Sequence, residues 1–253
     1  MLRSIFITVY FLFTIAGWVL SLIHVTSMGG HPGWFANTVV FSGLMVWWLY
    51  LRFGKLANAS FGGIVLTAAL GAGALISVGY HHIVDPVSPF SFQLPLIGFF
   101  GWMLYHMWYC KVPKTKGLPE VSQQPAQKYI LKIAHRGAWC GYSRNQLEQF
   151  MAREQELKEA GVDVQWVTHD SEMLKKKLPG LNIVEPGSSG FTSYSQSQVC
   201  PIGLSALGYS SKGFSPFAIL ENENGDVIAV HTPKDLRNLP GPDFFLRYAA
   251  SNN

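Results

Sequence analysis

Charge is distributed so unevenly along this chain that it constrains the fold before any motif is considered. Across residues 1–110 the only formally charged side chains are Arg3, Arg52, Lys55 and Asp85. Every other charged residue follows position 110. Four apolar stretches fill the charge-poor half, at 4–27, 33–52, 60–80 and 91–110. Each is close to the roughly 20 residues that a helix needs to cross a hydrocarbon core. The first is too long for the apolar part of a signal peptide and lacks a small-residue cleavage site, so it reads as a span. The expectation is an α-helical membrane bundle of four transmembrane helices over 1–110.

Lys and Arg near span ends set orientation. Arg3 precedes the first span, Arg52 and Lys55 lie between the second and third, and Lys111, Lys114 and Lys116 follow the fourth. The other two connections carry none. All three basic regions then share one side, which the rule makes cytoplasmic. Trp34, Phe35, Trp47, Trp48, Trp102, Trp108 and Tyr109 suit interfacial belts. Gly62, Gly63 and Gly71 to Ala74 would let helices approach closely. His24, His31, His81, His82 and Asp85 lie near the outer ends, with His106 inside the fourth stretch. No ligand spacing repeats among them, so interfacial hydrogen bonding explains them better than a metal, and no metal or cofactor is expected.

Residues 111–127 are polar and proline-rich, the chemistry of a linker. The remainder, 128–253, is long enough for one soluble domain. Tyr129–Ala134 is β-prone. Cys140–Ala160 reads as a helix with Leu147, Phe150, Met151 and Leu157 on one face, stopped by Gly161. Val162–Thr168 reads as a second strand, and Asp170 or Ser171 caps a short helix ending near Pro179. Phe217–Leu220 and Val227–Val230 flank an Asn-Gly turn signal, and a last helix is placed at Asp243–Ala250. The order predicts an α/β domain with helices covering a small sheet. Lys175, Lys176 and Lys177 are read as a solvated helix face. At a net charge of +4, neither half has a basic run long enough to suggest nucleic-acid binding, and no nucleic-acid partner is expected.

Three cysteines, Cys110, Cys140 and Cys200, are too few and too odd in number for a disulfide-stapled secreted domain. Cys140 stands in Arg136-Gly137-Ala138-Trp139-Cys140-Gly141-Tyr142-Ser143, between the first strand and the first long helix. A helix N-terminus and nearby arginines favour a thiolate there. Cys110 and Cys200 read first as small buried or interfacial residues.

This segment resembles the active-site motif of the thioredoxin superfamily, and the Arg-Gly-x-Trp-Cys form is similar to its peroxiredoxin-like branch of alkyl-hydroperoxide-reductase relatives. Ser215-Pro216, followed by a strand and the Asn-Gly hairpin, is similar to the superfamily's cis-proline segment. The resemblance spans about 120 residues and implies a thioredoxin-like fold. It implies Cys140 as nucleophile, Arg136 as the group steadying its thiolate, and a groove shaped by Trp139, Ser215 and Pro216. Ser143 occupies the place of the resolving cysteine in dithiol members and is expected to hydrogen-bond the sulfur. Cys200 is the candidate for a distant resolving thiol. Gly137 stands where peroxiredoxins carry threonine. The Cys-Gly-Tyr-Ser stretch is also similar to the site of monothiol glutaredoxins, though the flanks differ.

Three functions follow as expectations. The first is a membrane-anchored thiol-disulfide oxidoreductase or peroxiredoxin-like protein working with a single nucleophilic cysteine, its partners the lipid bilayer and a thiol or disulfide protein or glutathione. The alternative is a non-catalytic accessory subunit of a larger membrane complex, with a degenerate binding domain. The third is a quinone- or haem-linked unit passing electrons to Cys140, for which the membrane half lacks cysteine pairs.

Overall fold

The computed structural model describes residues 2–27, 32–53, 73, 89–112, 118–121, 128–188, 196–198, 200–205, 207–210 and 212–251. The chain divides into two compact units: Ile5–Tyr109, and Met1–Ser4 together with Cys110–Asn253.

The first unit is helical. Its elements are α1 (Leu2–Ser27), α2 (Pro32–Phe53), α3 (Pro89–Leu104) and a π-helical turn, Tyr105–Tyr109. At 26 residues, with an 18-residue stretch of mean hydropathy 2.2, α1 is long and apolar enough to cross a membrane. Among the described residues it is the one helix that is; the apolar part of α2 is the shorter stretch Trp34–Leu49. The third expected span, 60–80, lies outside the described residues except for Gly73. His31, His81, His82 and Asp85 lie outside them as well.

Small residues and aromatic rings set the packing here. Gly17 lies against the Phe41 ring and Gly101 against Tyr10, with no room for a Cβ at either. The Tyr10 hydroxyl donates to the Gly98 carbonyl at 2.9 Å, and Trp18 Nε1 donates to Ser42 Oγ at 3.0 Å. Polar atoms in apolar surroundings need such partners. Val9, Leu12, Val46, Leu49, Phe100 and Met107 are exposed apolar side chains of this unit. His24 stacks on Trp34 at 4.0 Å between ring centres. His106 packs against Trp102 at 4.4 Å and Tyr105 at 5.3 Å. Among the described residues no three His, Cys, Asp or Glu side chains are grouped to hold a metal ion.

The second unit is a mixed α/β domain. In chain order it contains β1 (Tyr129–Ala134), α4 (Gly141–Ala152), α5 (Glu154–Glu159), β2 (Val162–Val167), α6 (Ser171–Lys177) and β3 (Ile183–Val184). Then come β4 (Gln196–Gln198), α7 (Ile202–Ser205), β5 (Lys212–Phe214), β6 (Ala218–Asn222), β7 (Val227–His231) and α8 (Pro242–Ser251). Five strands form one sheet in the order β3-β2-β1-β6-β7, with β1, β2 and β3 parallel and β6 and β7 antiparallel to their neighbours. Tyr129, Leu131 and Ile133 alternate onto one face of β1, as a strand's two-residue period requires. They join Leu147, Phe150, Trp166, Phe245 and Ala249 in the main core. Ala134, Val167, Phe214, Phe217 and Ile219 form a second cluster.

Several expectations need correcting. The helix foreseen over 140–160 is two helices broken at Arg153, whose side chain is drawn to Glu156 and Asp243. Met151 is 41% exposed and does not share the buried face of Leu147, Phe150 and Leu157. The β4–β5 pair, α7 and the two-residue β3 were not foreseen. The first residues of the expected linker are engaged: Val112 N–H donates to the Lys234 carbonyl at 3.1 Å, and Leu236 N–H donates to the Cys110 carbonyl at 2.9 Å. Residues 113–117 and 122–127 lie outside the described residues.

Candidate functional site

The site follows from strand direction. β1 and β2 are parallel and in register, with Ala134 opposite Val167. Both chains therefore leave the sheet at the same edge, where open α/β sheets present their loops. The edge is extended by one bond, from His135 N–H to the Val167 carbonyl at 2.9 Å. The loops 135–140 and 168–170 then run side by side.

Gly137 turns the first loop. Its φ is +139°, and Cys140 N–H closes the turn by donating to the Gly137 carbonyl at 3.1 Å. A Cβ on Gly137 would lie 2.5 Å from Trp139 Nε1 and 2.6 Å from Asp170 Oδ2. Both the backbone angle and the space thus call for glycine. The position where the resemblance leads one to look for threonine is closed to any side chain.

Cys140 is the N-cap of α4, with φ −84° and ψ 112°, and is 3% exposed. Its carbonyl accepts the first helical bond, from Arg144 N–H at 3.0 Å, while its side chain makes no cap hydrogen bond. The sulfur stands at the end of a 12-residue helix where backbone N–H groups lack intrahelical partners, which favours negative charge there. Arg136 is 3% exposed, its guanidinium 5.2 Å above the Trp139 ring. Ser143 is also buried, and its hydroxyl accepts from Arg136 N–H at 3.4 Å. No hydrogen bond joins it to Cys140 among the described residues, so the expected Ser143–sulfur bond gives way to a bond that braces the loop.

Two further groups were not singled out from sequence. His135 is fully enclosed, and burial pulls its imidazole down to about 4, only partly offset by a hydrogen bond with the Ser143 backbone. Asp170 was read as a helix cap, but its side chain makes no cap bond. Instead Oδ2 accepts from Ala138 N–H at 3.0 Å and Oδ1 accepts from Ser210 N–H at 2.7 Å. Its own N–H donates to Thr168 Oγ1 at 3.2 Å. The signal for Asp170 was its place at the carboxyl end of a strand beside β1.

Cys200 is 3% exposed and donates weakly to the Pro201 carbonyl at 3.5 Å. Burial pushes its thiol up to about 12; Asp170 and Cys140 push the same way and Arg136 opposes them. Ser215 and Pro216 are buried, and the next residue, Phe217, accepts from Ala134 N–H at 2.9 Å, which sets this segment beside the end of β1. The described residues contain no cis peptide bond. Ser215–Pro216 is therefore trans, against the cis geometry the resemblance implies. Cys110 is fully buried, 3.8 Å from the Tyr142 hydroxyl. None of the three cysteines forms a disulfide among the described residues.

No family model matches the chain, and no curated protein matches it. Among solved structures it is similar to a reduced Prx3 from Vibrio vulnificus, at 16% identity and TM-score 0.37, covering 55% of this chain and 99% of that one. It is similar to a peroxiredoxin-like protein from Aquifex aeolicus at 12% identity and TM-score 0.36, covering 57% and 86%. The mitochondrial 2-Cys peroxiredoxin of Plasmodium falciparum overlays at 15% identity and TM-score 0.34, covering 49% and 75%. Overlays at this identity and TM-score are partial likenesses of path and carry no chemistry over.

Proposed function

We propose that this chain is a membrane-anchored thiol oxidoreductase that reduces hydroperoxides or disulfides through Cys140, with Cys200 as the resolving thiol. The observation that carries the reading is a cysteine at the N-cap of α4 whose loop is tied, through Asp170, to the segment that follows a second buried thiol, Cys200. With a hydroperoxide, the Cys140 thiolate attacks the O–O bond, becomes a sulfenic acid and releases water or an alcohol. The Cys200 thiol then attacks that sulfur, the S–O bond breaks, and water leaves with the Cys200 proton. A reductant of the thiol class, glutathione or a dithiol protein, restores both thiols. In this reading Arg136 steadies the thiolate, and Trp139, Ser215 and Pro216 shape the binding groove.

In this reading the N-terminal half holds four spans, and the three basic regions face the cytoplasm together with the α/β unit. The second reading, an accessory subunit with an idle site, draws on one fact: Cys140 is only 3% exposed. Hydroperoxide consumption by the full chain in detergent, with a small dithiol as reductant, separates the two. Turnover lost in Cys140→Ser, with the protein still assembled, supports the enzyme. Equal consumption by wild type and Cys140→Ser leaves the accessory role.

A further inference from the structure

We propose that Asp170 is a positioning residue that locks the loop carrying Cys140 and the loop following Cys200 into one frame, so that the two thiols can close a disulfide. The proposal rests on the reading of Cys140 and Cys200 as a working pair. Asp170 is 6% exposed, yet both of its carboxylate oxygens are used on backbone amides rather than on a cation. The amides belong to different segments. Ala138 lies two residues before Cys140, and Ser210 lies on the segment that follows Cys200 and α7. Thr168, itself fully buried, accepts from the Asp170 backbone and fixes the residue at the end of β2. Charge-assisted bonds to backbone N–H are among the stronger ones a buried carboxylate can make.

The placement also divides labour between the thiols. Cys140 stands at the N-cap of α4, whereas Cys200 precedes the four-residue α7. In this reading Cys140 is the sulfur that meets the oxidant and Cys200 the one that closes the disulfide. Without the clamp, Ala138 and Ser210 lose their common partner and the two loops move independently.

The test follows both steps in the full chain in detergent micelles, after one equivalent of hydrogen peroxide. Sulfenic acid is trapped at Cys140 with a 1,3-dione probe, and the Cys140–Cys200 linked peptide is counted by mass spectrometry over time. In Asp170→Asn, disulfide closure should slow at least tenfold more than sulfenic acid formation, so that trapped sulfenic acid accumulates. Asp170→Glu, which keeps the charge, should restore part of the closure rate. Should Asp170→Asn fail to fold, Ser210→Pro removes one of the two donors and should show the same split, whereas Ser210→Ala, which removes only the hydroxyl that accepts from Lys212 N–H, should not. Closure at the wild-type rate in the folded variants overturns the role of Asp170 while leaving the thiol pair standing. A wild-type chain that forms no Cys140–Cys200 disulfide overturns both.

Discussion

Gly137 shows how tightly single residues govern this site. At φ +139° and with Trp139 and Asp170 crowding the space a Cβ would take, Gly137→Ala should cost about 1 to 3 kcal/mol. Hydrogen exchange at the 135–140 amides of the full chain should rise accordingly, and protection equal to wild type would contradict the account. His135 gives the site a pH signature. Its folded value of about 4 lies below the ordinary 6.5, so the unfolded chain takes up its proton first. The contribution is fully present above pH 6.5 and is lost as pH falls towards 4, up to about 3 kcal/mol. His169 and His231 are also held below their ordinary values, chiefly by burial, and slope the same way. His135→Gln should therefore flatten, without abolishing, the fall in stability between pH 6.5 and 4. Unfolding curves that superpose on wild type across that range would remove His135 from the explanation. Cys140 was legible because Trp-Cys at a strand-to-helix junction is a local pattern. Asp170 was not, because its partners, Ala138 and Ser210, are brought to it only by parallel pairing and a long return of the chain.

At the scale of elements, periodicity carried most of what the sequence could tell. β1, β2, α6 and the β6–β7 hairpin fall where alternation, capping and the Asn-Gly signal put them. In the hairpin, Asn222 Oδ1 accepts from Asn224 N–H at 2.9 Å and Asp226 N–H at 2.8 Å, while Gly225 takes φ +86°. The missed elements are those with too little local pattern. β3 has two residues and is held only by pairing with Trp166 and Val167, and α7 has four. At the break Arg153 N–H turns to the Phe150 carbonyl at 3.2 Å, and its side chain meets Asp243 ninety residues away, neither of which helical spacing reveals. The C-terminal α8 is anchored by Phe245, fully buried against Phe150 at 6.1 Å between ring centres. Phe245→Ala should destabilise the unit by about 3 to 5 kcal/mol, read as faster exchange at the β1 and β2 amides. A loss below 1 kcal/mol would mean that α8 is peripheral. A second element-scale test concerns residues 110–112. Asp235 meets Lys111 at 3.4 Å and Arg237 at 2.7 Å. Burial resists its ionisation, but the bonds from Arg237 and Lys111 outweigh that and keep the carboxyl below its usual range. Asp235→Asn should raise exchange at Val112 and Leu236, whereas unchanged protection would show the bridge to stand without it.

At the scale of the molecule, charge is sparse before residue 110, and the two compact units are Ile5–Tyr109 and Met1–Ser4 together with Cys110–Asn253. Hydropathy reports where apolar sequence lies but not which helices are long enough to span. Among the described residues α1 alone meets that measure. Cysteine mapping of the full chain in sealed vesicles bears on the rest. An impermeant reagent should label 52–55 and 111–116 positions from one face and 28–31 positions from the other, and labelling of all from one face would refute four spans. The central claim, that Cys140 and Cys200 act as one redox pair, is tested most directly by counting thiols site by site. The intact chain is treated with one equivalent of hydrogen peroxide, and each cysteine is read by isotope-coded alkylation. The account predicts that Cys140 and Cys200 leave the thiol pool together while Cys110 remains. Retention of both Cys140 and Cys200 as thiols would contradict it.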